Sequence, residues 1–161
     1  LRHSSAASDV YKRQNLILVV FLGFLLTACA TSSRKPGKDY YTGSDTIKFL
    51  ASGVPDRVFF ATNRSSLHSG AKGTLNKQAA YIKSSGISVV VEGHADERGT
   101  REYNLALGER RANAVKDYLM SQGVASSKIT VISYGKERPV NPESSRLAWS
   151  QNRRSVTVKS K

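Results

Sequence analysis

The chain has 161 residues, with 25 Lys and Arg against 12 Asp and Glu, giving a formal charge of +13 and a pI near 10.1. Its hydrophobic share of 39% and mean hydropathy of −0.37 describe a largely soluble chain, one ordinary domain plus extensions. The charge favours an anionic partner, but no basic-aromatic interleaving of the kind that stacks bases is present, which sets nucleic acid aside.

Leu1–Gln14 is polar and aperiodic, resembles translated adaptor sequence, and is set aside as a non-native leader. Leu16 to Leu26 is an apolar run of eleven residues. A bilayer span needs about 20 residues, so this run has the length of a signal-peptide core, with Lys12 and Arg13 ahead of it. Leu26-Thr27-Ala28-Cys29 follows. Small residues before a cysteine at that place resemble the lipobox of bacterial lipoproteins. The resemblance implies cleavage before Cys29 and acyl chains on it, and Ala30 after it implies export to an outer membrane. Cys29 is the single cysteine, so it supports neither an internal disulfide nor a metal cage. The bland alternative is a buried free thiol on an apolar helix.

Residues 30–52 are rich in Ser, Thr, Gly and Lys and read as a flexible tether. A domain over 53–161 follows. Arg57–Phe60 predicts a first strand, and Ala61–Ser66 a polar loop. Leu75, Ala79 and Ile82 predict a helix over 71–84, stopped by Gly86. Ile87–Val91 predicts a covered central strand. A long helix from Arg101 to Ser121 has Leu105, Gly108, Ala112, Val115 and Leu119 as its apolar stripe, and Gly123 ends it. Lys128–Ser133 predicts a third strand, Ser145–Gln151 a short helix and Ser155–Lys159 a last strand. The order is β-α-β-α-β-(short α)-β, an α+β or α/β sandwich with helices against one sheet.

The chemistry concentrates between Gly93 and Ala112. Asn104, Leu107 and Arg111 share one helical face, and Arg110 points about 100° away. Asp96 comes from the loop feeding that helix. A carboxylate and a guanidinium facing one cleft suit a small zwitterion: ammonium to Asp96, carboxylate in the fork of Arg111, Asn104 and Leu107 lining the space. The alternative is a plain Asp96–Arg111 ion pair, or an aspartate that helps cap the helix. His94 reads as a structural histidine hydrogen-bonded under the loop rather than a metal ligand or base, since no HExxH or second histidine accompanies it. Arg153 and Arg154 read as braces of the sheet edge or cleft rim. No cofactor or metal is implied.

Gly93-His94-Ala95-Asp96-Glu97-Arg98-Gly99-Thr100, then Tyr103-Asn104 and Leu107-Gly108-Glu109-Arg110-Arg111-Ala112, resembles the signature of the OmpA-like peptidoglycan-binding domain family, in the wording of its peptidoglycan-associated lipoproteins. Tyr134-Gly135-Lys136-Glu137 and Asn152-Arg153-Arg154 fall at matching segments, so the resemblance covers about 54–159. It implies an α+β fold, a β-α-β-α-β-β sandwich with helices on one face of a mixed sheet. It also implies non-covalent binding of the diaminopimelate in peptidoglycan stem peptides, with Asp96 and Arg111 gripping its amino-acid end. Phe60, Ala61 and Thr62 would supply the opposite wall, although Ala61 stands where many members carry an acidic residue. Further implications are a lipid anchor in the outer membrane, engagement of TolB and other Tol-system proteins, and a role in envelope integrity and cell division. Competing readings are a stator- or porin-linked wall anchor, and a wall hydrolase using His94 with Asp96 or Glu97.

Overall fold

The computed structural model describes residues 48–160. Cys29, the apolar run before it and most of the tether stretch lie outside the described residues. The last part of that stretch, Phe49–Ala51 (β1), is a strand paired antiparallel with Val54–Pro55 (β2), and Leu50 of β1 is buried in the core. A three-residue strand leaves too short a trace to show as a period in a polar sequence.

Arg57–Phe59 (β3) leads to the helix Ser69–Ser85 (α1). Then come Val89–His94 (β4), the helix Arg101–Ser121 (α2), Ile129–Gly135 (β5), the short helix Arg146–Asn152 (α3) and Arg154–Lys159 (β6). Strands β3 to β6 form one mixed sheet in the order β3-β6-β4-β5, with β4 and β5 parallel and the other pairs antiparallel. This is the α+β sandwich that the element order predicts.

Local chemistry places the helix ends. The His68 imidazole accepts from the Ala71 amide, which starts α1 two residues before the apolar stripe suggests. Gly86 ends it in the left-handed region at φ 67°. The Thr100 hydroxyl caps α2 by accepting from the Tyr103 amide. That removes helix capping from the roles available to Asp96.

Both long helices cover one face of the sheet. Leu75, Ala79 and Ile82 of α1 and Ala112, Val115 and Leu119 of α2 meet Val58, Val89, Val91 and Ile129 in a single core. Each such side chain contributes about 1.5–3 kcal/mol when fully buried. Gln78 is the polar exception in this layer, and it is satisfied: it donates to the Pro55 carbonyl and accepts from the Thr157 hydroxyl. The α2 stripe is corrected in one member. Leu105 is 48% exposed, and the buried face instead runs through Asn104, Leu107, Gly108, Arg111, Ala112, Val115 and Leu119.

The central strand sits later than its apolar run predicts, at 89–94 rather than 87–91. Pairing with both neighbours carries it through Glu92 and Gly93. Gly93 is required there because α2 crosses it: a Cβ on Gly93 would collide with the backbone carbonyl of Gly108, and a Cβ on Gly108 with Ser133 and Gly93. Two glycines thus let α2 lie directly on β4, and the loop joining them opens at one end of the sheet. Gly93→Ala is expected to lower stability by about 3 kcal/mol, since the obstruction is backbone and cannot rotate away. Urea denaturation measures this, and an unchanged midpoint would show that the helix does not press on the strand.

Candidate functional site

The site gathers at the C-terminal end of β4. Arg111 reaches it from α2 as a fully buried side chain, 0% exposed. Its Nε donates to the Arg64 carbonyl at 2.9 Å, Nη1 to the His94 carbonyl at 2.8 Å and Nη2 to the Ala61 carbonyl at 3.2 Å. The guanidinium also lies over the Phe60 ring, 5.3 Å from its centre. Burial pushes its pKa down to about 10, with the charge of Arg153 adding and that of Asp96 opposing. It therefore stays charged at neutral pH.

Asp96 is 7% exposed, and its partners are two other arginines. Arg98 grips it as a fork, Nε to Oδ1 at 3.0 Å and Nη2 to Oδ2 at 2.8 Å, and the Arg98 amide adds a bond to Oδ1. Arg153 Nη1 approaches Oδ2 at 3.4 Å. Burial alone would raise this carboxyl. The Arg98 hydrogen bonds and the charges of Arg98 and Arg153 more than reverse that and hold it below the ordinary carboxylate value. No ion pair joins Asp96 to Arg111, so the simple pair weighed from the sequence is not formed.

The remaining site residues divide. Arg153 donates from Nε to the Phe60 carbonyl at 3.0 Å, while its own carbonyl accepts from the Phe60 amide. Phe60 and Ala61 are thereby brought to Arg111 and Asp96. Thr62 is exposed beside them, ahead of Asn63, whose φ of 54° marks a tight turn. Asn104 is buried and donates to the Arg98 carbonyl at 2.9 Å, so it secures the loop from below. Leu107 is buried with the packed face of α2. Arg110 points elsewhere, with its guanidinium over Tyr103. Arg154 donates to the Asn152 and Arg138 carbonyls, bracing the chain near the sheet end.

An outer rim surrounds Asp96. Arg98 stacks on Trp149 at 4.3 Å, Trp149 Nε1 donates to Glu97 at 2.7 Å and Ser144 donates to the same carboxylate. Lys136 Nζ donates to the Glu97 and Gly99 carbonyls. Sequence reasoning missed Arg98 and Trp149 as members. Arg98, two residues after Asp96, was within reach of a local-loop argument. Nothing in the spacing connects Trp149 to Glu97, 52 residues earlier.

His94 departs from its expected role. Its ring is buried, but neither ring nitrogen has a hydrogen-bond partner. Nε2 stands 3.6 Å from Glu92, and the ring faces Tyr134 at 5.5 Å. Burial, then the charges of Arg154, Arg57 and Arg138, push its pKa down to about 3. The backbone carbonyl that accepts from Arg111 is what His94 contributes to the site. Because the unfolded chain binds the proton first, near pH 6.5, this group makes stability fall as pH drops from about 6.5 towards 3. His94→Gln should flatten that part of the stability–pH curve, read from urea midpoints. A slope that survives the substitution would assign the acid sensitivity to other groups.

Comparison with known proteins bears on family and fold. Residues 59–153 match the model of the OmpA family. A peptidoglycan-associated lipoprotein of Mesorhizobium japonicum is 44% identical over 154 residues, covering 90% of this chain and 92% of the relative. The corresponding protein of Pseudomonas aeruginosa is 52% identical over 96 residues, 60% of this chain and 57% of the relative. The crystal structure of the peptidoglycan-associated lipoprotein from Burkholderia pseudomallei superposes with a TM-score of 0.63 at 38% identity, covering 65% of this chain and 90% of that one. The C-terminal domain of Helicobacter pylori MotB, 21% identical with a TM-score of 0.61, shares the fold. With the family model spanning both long helices, the two parallel strands and the site loop, the chain belongs to the OmpA family and groups within it with the peptidoglycan-associated lipoproteins.

Proposed function

We propose that this protein is a non-catalytic anchor: acylated Cys29 holds it in an outer membrane, and the folded domain binds peptidoglycan non-covalently through the diaminopimelate of the stem peptide. The observation that carries the reading is Asp96, a carboxylate held ionised by Arg98 and Arg153 beside the Phe60–Thr62 wall and a buried guanidinium, in a chain of this family. The kinship with peptidoglycan-associated lipoproteins supports the wall as partner and the envelope as location.

A zwitterionic end fits this arrangement as follows. In the free domain Arg98 occupies the place of a ligand ammonium on Asp96. Its side chain is 42% exposed against 9% for Asp96, so it can swing out while Asp96 stays. The ligand ammonium then takes the Asp96 oxygens. Arg111 has two of its five N–H bonds outside its three carbonyl contacts. A ligand carboxylate reaches them when the exposed Ala61–Arg64 turn, two of whose carbonyls hold the guanidinium, shifts aside. Asn104 keeps the loop in register through the Arg98 carbonyl, and Leu107 backs the pocket. The same face would meet TolB and other Tol-system partners, linking the anchor to envelope integrity and division.

A hydrolase draws less support. His94 is buried and held neutral, and Glu97 is engaged by Trp149 and Ser144. Saturable binding to purified wall without release of soluble muropeptides is the expected behaviour.

Titration of the chain with a diaminopimelate-containing stem peptide tests the site. Asp96→Asn should weaken binding by about 2 kcal/mol, roughly thirtyfold, with the fold intact by circular dichroism. Parent-like affinity in that variant would move the ligand elsewhere. Arg111→Lys keeps the charge but loses the fork, and should both weaken binding and lower stability, since a single ammonium cannot satisfy three carbonyls from three directions.

A further inference from the structure

The end of the sheet away from Asp96 is predominantly basic. Val89 pairs with both Ile129 and Lys159, so the start of β4, the start of β5 and the end of β6 stand at one level. The ends of both long helices arrive there too. Lys83 of α1 donates to the Gln122 carbonyl at the end of α2, and Lys128 donates to the Gly86 carbonyl at the end of α1, each at 2.8 Å. Lys159 Nζ lies over the Tyr81 ring at 5.5 Å.

The described chain enters at this same end. The Asp56 amide donates to the Lys48 carbonyl, and the Asp56 carbonyl accepts from Thr157, two residues before Lys159. Next to Lys48 stands Phe49, 63% exposed, the most exposed large hydrophobic side chain among the described residues. The segments at this end, 48–55, 81–89, 119–130 and 157–160, contain no Asp or Glu, and the exposed Asp117 stands one turn back on α2. Asp56, the nearest acid at the entry, is buried and taken in a fork by Arg57. The site end is mixed by contrast, with Asp96, Glu97 and Glu137 among its arginines.

Lysines without acids between them attract any dense anionic surface, and they need no fixed geometry to do so. An exposed phenylalanine set beside them favours a surface with an apolar interior over a hydrated polymer. Chain length points the same way. Eighteen residues separate Cys29 from Lys48; a flexible chain of that length spans about 25 Å, so an anchor at Cys29 would leave this end within reach of its membrane. We propose that the end bearing Lys48, Phe49, Lys83, Lys128 and Lys159 docks on an anionic phospholipid surface, with the Asp96 end directed away from it. The proposal rests on the reading that Cys29 holds the chain at a membrane.

The test couples the full chain through Cys29, its single cysteine, to maleimide-headgroup lipid in vesicles. This fixes the chain to the bilayer whether or not cells acylate it. Mass spectrometry of Cys29 from cells tests acylation separately. Phe49→Trp in a Trp149→Phe background leaves one tryptophan, whose quenching by brominated lipid reports contact. Quenching should be roughly threefold stronger in vesicles containing phosphatidylglycerol than in phosphatidylcholine alone. About 0.5 M salt should remove the difference, and so should the Lys48→Glu, Lys159→Glu pair, neither of which breaks a side-chain hydrogen bond. Equal quenching in the two membranes, or a difference that survives both salt and charge reversal, would overturn the proposal. If the reversed variant does not fold, the salt series on the parent decides.

Discussion

A single buried guanidinium holds the functional end of this domain together. Arg111 takes carbonyls from the Ala61–Arg64 turn and from His94 at the end of β4, two segments about thirty residues apart in the chain. A buried carbonyl without a donor costs about 1–3 kcal/mol, and the guanidinium supplies donors to the buried His94 and to the turn above it. Burial of the charge has its own cost, visible in a pKa pushed down to about 10. Three charge-assisted bonds and the face of Phe60 offset it. The loop after β3 and the end of β4 therefore keep their relation through α2 rather than through direct pairing.

Arg153 repeats this device one layer out. Its carbonyl accepts from the Phe60 amide, and its guanidinium donates to both the Phe60 carbonyl and Asp96. Arg57 and Arg154 are buried as well. A share of the strong positive charge thus serves architecture, where arginine's five donors outperform lysine's point charge. The lysines named at the opposite end remain on the surface. Among the described residues the buried cations are all arginine, while Arg98 and Arg101 share the surface with the lysines.

The glycine contact between β4 and α2 decides where this chemistry stands. With Gly93 against Gly108, the helix lies close enough for Asn104 to reach the loop and for Arg111 to reach three carbonyls. Asp96 is then set at the rim, covered on the side where Arg98 grips it and stacks on Trp149. The arrangement sets an ionised carboxylate beside buried guanidinium groups, a setting that favours a guest carrying both signs.

Much of this was legible in the residues. The order of strands and helices, the limits of the long helix and the α+β class follow from periodicity and caps, which are local properties. The shared face of Asn104, Leu107 and Arg111 follows from helix geometry, and all three are buried together. The partner of Asp96 did not follow. One helical face suggested Arg111, yet Arg98 and Arg153 hold the carboxylate, and Arg111 binds only carbonyls. The β1–β2 hairpin, the exposure of Leu105 and the unpartnered ring of His94 were likewise settled by packing. Sequence spacing determines which side chains share a face of one element. Which charges meet depends on distances between elements, and those exist only once the sheet, the helices and their glycine contact have closed.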